Sequence, residues 1–433
     1  MNAALNPGVA RREVFGWAMY DFANSGYTTV VLTAVFNAYF VSVVAKNEPW
    51  ATFAWTVALA ISYALVMGLG PVVGAWADAR AAKKRALAAS TIVCVGGTFA
   101  LAFAGPGMVA WAVAFIIVSN VAYSLGENLT AAFLPELARP ESLGKVSGWG
   151  WSWGYVGGLI ALALCLGWVL TADSRGSTSS EAVQGTMIIT AAVFALAALP
   201  TFLLLKERAV PTPKANVESH AMARLLHTAR EAAQYRDLLW LFACGTCYQA
   251  GVATVITLAA IYAEQVMGFK MKDTIMLILV VNVTAAIGAF AFGYAQDRMG
   301  KVMALRITIV GWVVMTIVAY ASTTTALFWV AANLAGLCMG SSQSAGRALV
   351  AYFSPKERAA EFFGLWGVAT RLASILGPVT YGAVSWATGG NHRLAMLLTG
   401  AFFIAALACL AFVNERRGRD RVAGLNAAAA API

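Results

Sequence analysis

A chain of 433 residues that is 60% apolar and only 12% charged carries about half the charge of a soluble domain, which runs to about 25%. That excludes a water-soluble fold, and at about 20 residues per crossing the apolar content matches on the order of twelve membrane helices. The basic surplus, 30 Lys+Arg against 20 Asp+Glu for a net +10, sits in loops, so it reads as membrane topology and not as a nucleic-acid surface.

Apolar runs bounded by charge, Gly or Pro predict spans at about 14–45, 52–77, 84–104, 108–134, 148–172, 185–205, 237–264, 272–295, 302–321, 325–353, 361–387 and 393–413. The first run contains Asp21 and Asn24 and continues too far for a cleavable signal peptide, so that helix is expected to stay in the mature protein. Residues 1–206 and 237–414 each hold six predicted spans, separated by a connection at 207–236. That connection passes Pro211 and Pro213 and then sets Met222, Leu225, Leu226 and Ala229 opposite Arg224, His227 and Arg230, the pattern of a helix in the headgroup region or of a solvated connector. The end, 415–433, is basic through Arg421 and then Ala-rich, and is expected to be disordered. Alternate loops hold only Lys46, Arg175, Lys270, Lys272 and Arg393. The positive-inside rule therefore puts both termini on the cytoplasmic face of the inner (plasma) membrane.

The two halves repeat. Gly74-Ala-Trp-Ala-Asp78, with Arg80, Lys83 and Lys84, follows the second span, and Gly293-Tyr-Ala-Gln-Asp297-Arg298-Met-Gly300-Lys301 follows the eighth. Asp297 lies 219 residues after Asp78, and Gly364 lies 216 after Gly148. Two features at nearly one offset over six-helix units imply parallel repeats, an organisation of secondary transporters.

Gly-x-x-x-Asp-Arg-x-Gly-Lys after the eighth span, with its degenerate partner after the second, resembles the signature loop of the major facilitator superfamily. Within it the chain resembles the vacuole-effluxer branch, whose fungal members export amino acids from the vacuole. The matching residues are Trp17-Ala-Met-Tyr20-Asp21-Phe22-Ala23-Asn24-Ser25, Gly70-Pro71-Val-Val-Gly74, Leu134-Pro135-Glu136-Leu-Ala, Gln343-Ser-Ala-Gly-Arg347 and Ala360-Glu361-Phe362-Phe363-Gly364-Leu365, so the likeness covers almost the whole chain. It implies an all-α polytopic membrane protein of twelve transmembrane helices in two parallel six-helix bundles, with helices 1, 4, 7 and 10 around a central cavity. It also implies that Asp78 and Asp297, with Lys83, Lys84, Arg298 and Lys301, latch the cytoplasmic ends; the alternative is that these charges serve topology alone. Glu136, Arg347 and Glu361 fall in motifs beside those loops and join the gating candidates, Arg347 with Glu361 or the helix 4–5 loop as partner or, equally, in contact with substrate. The seventh helix reads Tyr248-Gln249-Ala250-Gly251 where the branch carries Asp-Gly, so a role for an acid there does not carry over. The first signature loop lacks its second Gly and first Arg, which weakens the gating inference for that half.

Charges inside the membrane are costly and mark function by default. Asp21 and Glu127 each lie seven residues from a cytoplasmic helix end, about 10 Å deep, and the resemblance would put both in one aqueous vestibule. Asp21, Ser25 and Thr28 form a polar stripe on the first helix; Asn120, Tyr123, Ser124 and Glu127 form one on the fourth. Proton coupling by at least one carboxylate is the leading expectation, a helix-bridging or capping role the alternative. Arg371 lies roughly 15 Å deep, on a face with Trp366, Thr370, Ser374 and Pro378, and needs an anionic partner from protein or substrate. Asn24, Gln249 and Gln343 complete the candidate substrate-facing set.

Other patterns lead nowhere. Gly150-Trp-Ser152-Trp-Gly154 copies a hydrolase elbow without its strand or histidine and reads as small-residue packing. The six cysteines fall in apolar runs, where thiols act as small hydrophobes. No phosphate-cradling loop or metal cluster is visible, so no cofactor is expected. The expected function is alternating-access transport of an amino acid or another carboxylate-bearing metabolite by a monomer, with protons and the bilayer as partners. Efflux of amphipathic drugs or siderophore-like compounds is the alternative, and a non-transporting receptor or a membrane enzyme fits the repeat less well.

Overall fold

The structure, a computed structural model, describes residues 2–209 and 235–430. Among the described residues twelve helices are long and apolar enough to cross a membrane: α1 (Arg11–Val44), α2 (Ala51–Ala79), α3 (Lys83–Leu101), α4 (Val109–Ala131), α5 (Leu143–Ser174), α6 (Ser179–Leu204), α7 (Arg236–Met267), α8 (Met271–Met299), α9 (Lys301–Ala321), α10 (Thr325–Phe353), α11 (Ala359–Ala387) and α12 (His392–Leu410). Their ends carry local signals. Thr178 and Glu181 exchange hydrogen bonds at the start of α6, a reciprocal cap. Gly268, at φ +69°, closes α7 in the left-handed conformation that side chains disfavour. In α1 the turns widen over Thr28–Ala34 and Phe40–Val44, a π-helical relaxation that recurs at functional sites.

Outward-facing positions carry large apolar side chains such as Phe53, Ile92, Leu196 and Leu203, all more than 60% exposed. Such a surface would aggregate in water and meets acyl chains here. Inside, the repeat is a packing repeat. In one half α1 packs on α5 and α6, α2 on α4, and α3 on α4 and α6; in the other α7 packs on α11 and α12, α8 on α10, and α9 on α10 and α12. Each pair recurs six helices later, which makes two parallel six-helix bundles. The bundles meet along α2 against α11 and α5 against α8, contacts that the same pseudo-symmetry exchanges.

Two expectations shift. Asp78 and Asp297 occupy the last turns of α2 and α8, not the loops beyond them, because backbone hydrogen bonding continues past the apolar window. The tail forms α13 (Glu415–Ala430) where disorder is expected: alanine is the best helix former, and Asn414 Oδ1 accepts from Arg417 N at 3.0 Å, an N-cap. The amphipathic pattern at Met222–Arg230 lies outside the described residues.

Candidate functional site

Closure is concentrated at the end of the molecule that carries both termini. Asp297, ending α8, accepts from the backbone N–H of Gly144 (3.0 Å) and Lys145 (2.9 Å) at the start of α5. Its repeat mate Asp78, ending α2, accepts from Glu361 N (2.9 Å) at the start of α11. Each signature aspartate thus sits on a helix N-terminus of the opposite half, where unpaired N–H groups and the helix dipole favour an anion. Glycines allow the approach: a Cβ on Gly364 would stand 2.7 Å from the Gly70 carbonyl oxygen, and one on Gly148 would stand 2.9 Å from Gly293 Cα.

The basic residues beside these aspartates divide. Lys301 stays 3.7 Å from Asp297. Buried Lys83 pairs with Glu136 and lies 3.9 Å from the Asp78 oxygen that takes no hydrogen bond. Lys84 Nζ donates to Leu205 O at 2.6 Å, and Glu136 also accepts from Arg208 N; these contacts stay within the first half and its exit segment. Arg298 is exposed. Glu361 is held by Arg358, which donates two bonds of 3.0 Å.

Of the two partners expected for Arg347, Glu361 is not taken, whereas Ser147, at the end of the segment expected to join the fourth and fifth spans, is. From α10 its Nη1 reaches Asp21 Oδ2 on α1 at 2.7 Å, while Nε and Nη2 donate to the Ser147 hydroxyl (3.1 Å) and carbonyl (2.8 Å) on α5. The guanidinium lies 4.7 Å from the Trp17 ring and 5.2 Å from that of Trp151. Gly150 makes room, since a Cβ there would stand 2.8 Å from Trp17 and closer still to Arg347 and Asp21. A planar fork with fixed donors suits such a setting, where a lone charge would be costly.

Arg371 finds a protein carboxylate. From α11 its Nη2 donates to Glu127 Oε2 on α4 at 2.5 Å, with the arginine side chain 13% exposed and the glutamate 32%. Tyr63 of α2 and Tyr123 of α4 present rings 5.5 and 6.0 Å from the guanidinium, and Tyr123 stacks on Tyr27 at 5.1 Å. Arg371 Nε is buried without a hydrogen-bond partner, as is Nδ2 of the adjacent Asn128. Asp21 and Glu127 therefore form no carboxylate dyad. Each is neutralised by its own arginine from the other half, the cheaper arrangement at low dielectric.

The remaining candidates are partly engaged. Gln249 and Gln343 bond each other reciprocally across α7 and α10 at 2.8 and 3.1 Å. Ser25 donates to Asp21 O within its helix, and Asn24 Oδ1 is buried without a partner. Tyr63 and Ser147 were not singled out from sequence. Tyr63 lies seven and eleven residues before Gly70 and Gly74, a helical spacing that places it on the inter-bundle face; Ser147 carries no local signal. Among the described residues no group of three His, Cys, Asp or Glu could hold a metal ion.

Comparison with known proteins fits this geometry. The chain is 29% identical over 412 residues, 93% of its length and 95% of the relative's, to the uncharacterized MFS-type transporter YxiO of Bacillus subtilis. It is 21% identical over 324 residues, 69% of its length but only 52% of the relative's, to autophagy-related protein 22-1 of Aspergillus niger. Its fold matches the human organic anion transporter MFSD10 with a TM-score of 0.71 at 14% identity, over 92% of this chain and 99% of that one. It also matches the outward conformation of FucP with a TM-score of 0.70 at 15% identity, over 93% and 98%. Residues 50–423 match the family described as vacuole effluxer Atg22 like, and the chain belongs to that family, a branch of the major facilitator superfamily of membrane transporters.

Proposed function

We propose that this protein is a secondary transporter that moves a carboxylate-bearing metabolite, an amino acid first among the candidates, by alternating access coupled to protons. Both termini face the cytoplasm, and the membrane is the inner (plasma) membrane. One observation carries this: at Glu127–Arg371 a carboxylate that reaches water is bound to an arginine of the opposite half, and that arginine keeps a nitrogen unmatched. A substrate carboxylate competes with Glu127 for Arg371, and a proton on Glu127 cancels the charge that holds the pair, so solute and proton act on one inter-half contact. Asp21–Arg347 and the two signature aspartates hold the cytoplasmic end shut, so the solute meets the site from the other side. The aromatic faces of Tyr63, Tyr123 and Tyr27 support a second reading, efflux of an amphipathic compound.

Sealed proteoliposomes under an imposed pH gradient, offered a panel of amino acids, organic acids and amphipathic drugs, test the proposal. Gradient-driven flux of a carboxylate that Glu127→Gln uncouples is expected. If Glu127→Gln and Asp21→Asn both leave pH-dependent flux intact, proton coupling fails.

A further inference from the structure

We infer that α13 is a conformational strap: it is anchored on the second half, and Arg419 clasps the first half to hold the termini-bearing end shut. Three contacts seat the helix on its own half. Arg417 grips Asp237, at the start of α7, through two bonds of 2.8 and 2.7 Å, and Asn414 N donates to the same carboxylate at 2.7 Å. Glu415 accepts from Val302 N at the start of α9. Gly418 packs so closely on Phe353 that a Cβ would stand 2.8 Å from Cδ1. From that seat Arg419 donates to Tyr352 OH (3.2 Å) on α10 and to Glu141 (2.9 Å) of the first half.

Glu141 lies just ahead of Gly144 and Lys145, whose N–H groups Asp297 holds. One short segment of the first half is therefore grasped twice by the second, by α8 and by α13. The two grips are joined, because Tyr352 carries Arg419 on its ring at 5.3 Å and Lys301, the partner of Asp297, at 4.7 Å. A cavity of about 120 Å³ remains under the strap, lined from the first half by Pro140 and Leu143, from the second by Tyr352 and Ser354, and from α13 by Arg419 and Val422. Both halves and α13 thus meet without fusing into one core, and the joint can part. The clasp itself is solvent-reaching, Arg419 at 40% and Glu141 at 64% exposed. An exposed pair shifts a two-state ratio by roughly two- to fivefold, enough to bias a cycle and too little to block it.

The inference rests on the proposal that this end opens during transport, and the test separates the two. Spin labels at Arg85→Cys on α3 and Arg306→Cys on α9, exposed sites on different halves, report the seam by pulsed dipolar spectroscopy. The full chain is used in nanodiscs, with Cys247 and Cys409, the two native thiols that are not fully buried, replaced by Ala. Arg419→Gln and Glu141→Gln are each expected to raise the long-distance population roughly two- to fivefold, and the exchange Glu141→Arg with Arg419→Glu to return it towards the parent. Arg347→Gln, which opens the seam independently of α13, is the control. Lengthening in Arg347→Gln with no change in Arg419→Gln, or an exchange variant as open as the singles, overturns the strap and leaves alternating access standing. No lengthening in any variant overturns both.

Discussion

Two of the arginine–carboxylate pairs that cross between the halves lie within the helical bundles, and they differ in how completely the protein satisfies them. Arg347 spends its donors on Asp21 and on the Ser147 hydroxyl and carbonyl, between two tryptophan rings. Arg371 has one charged bond, to Glu127, with a bare Nε beside it and two tyrosine rings around it. A saturated buried pair holds its geometry, whereas an under-satisfied pair that reaches water exchanges partners at little cost. The difference assigns the first to closure and the second to recognition, although the polar stripes on α1 and α4 look equivalent in sequence.

The sharpest way to break the contrast is Arg347→Gln. It strands Asp21 in a nearly dry site, so the closed state should lose about 3–5 kcal/mol, seen as opening between labels at positions 85 and 306; an unchanged distance would mean that this pair does not close the seam. Gly150→Val attacks the same pair without altering charge, since its side chain must displace Trp17, Arg347 or Asp21. An overpacking cost of about 1–3 kcal/mol should appear as the same opening in weaker form. Arg371→Gln should behave otherwise, with the seam unmoved and affinity for a carboxylate substrate reduced by about 1.5–3 kcal/mol in uptake KM. Retained affinity would show that Arg371 is a strut.

The twelve spans were legible because hydropathy is a one-dimensional property that the bilayer reads directly, and the family because its motifs are contiguous. The pairing was not. Asp21, Glu127, Arg347 and Arg371 are all visible in sequence, but which acid meets which arginine depends on how close α2 comes to α11 and α5 to α8. That distance is set by Gly70, Gly148, Gly293 and Gly364, residues far apart in the chain. Spacing alone therefore allowed Arg347 to reach for Glu361, a carboxylate that Arg358 already occupies three residues away. Arg419 was legible only as positive charge, because its partner Glu141 belongs to the other half.

Gln249 and Gln343 give the smallest and most discriminating test, since they form a neutral pair between α7 and α10. Gln249→Leu alone leaves a Gln343 amide without its partner and should cost about 1 kcal/mol in thermal stability of the purified protein. The double variant Gln249→Leu with Gln343→Leu removes both polar groups, so the unsatisfied amide disappears and stability should return to near the parent. Transport then separates two roles that stability cannot. A tie between helices is dispensable once both amides are gone, whereas amides that face the substrate are not. The expected outcome is a double variant with recovered stability and a KM raised several-fold for the solute found in the panel. An unchanged KM would remove both glutamines from the site and leave Glu127–Arg371 to recognise the solute alone.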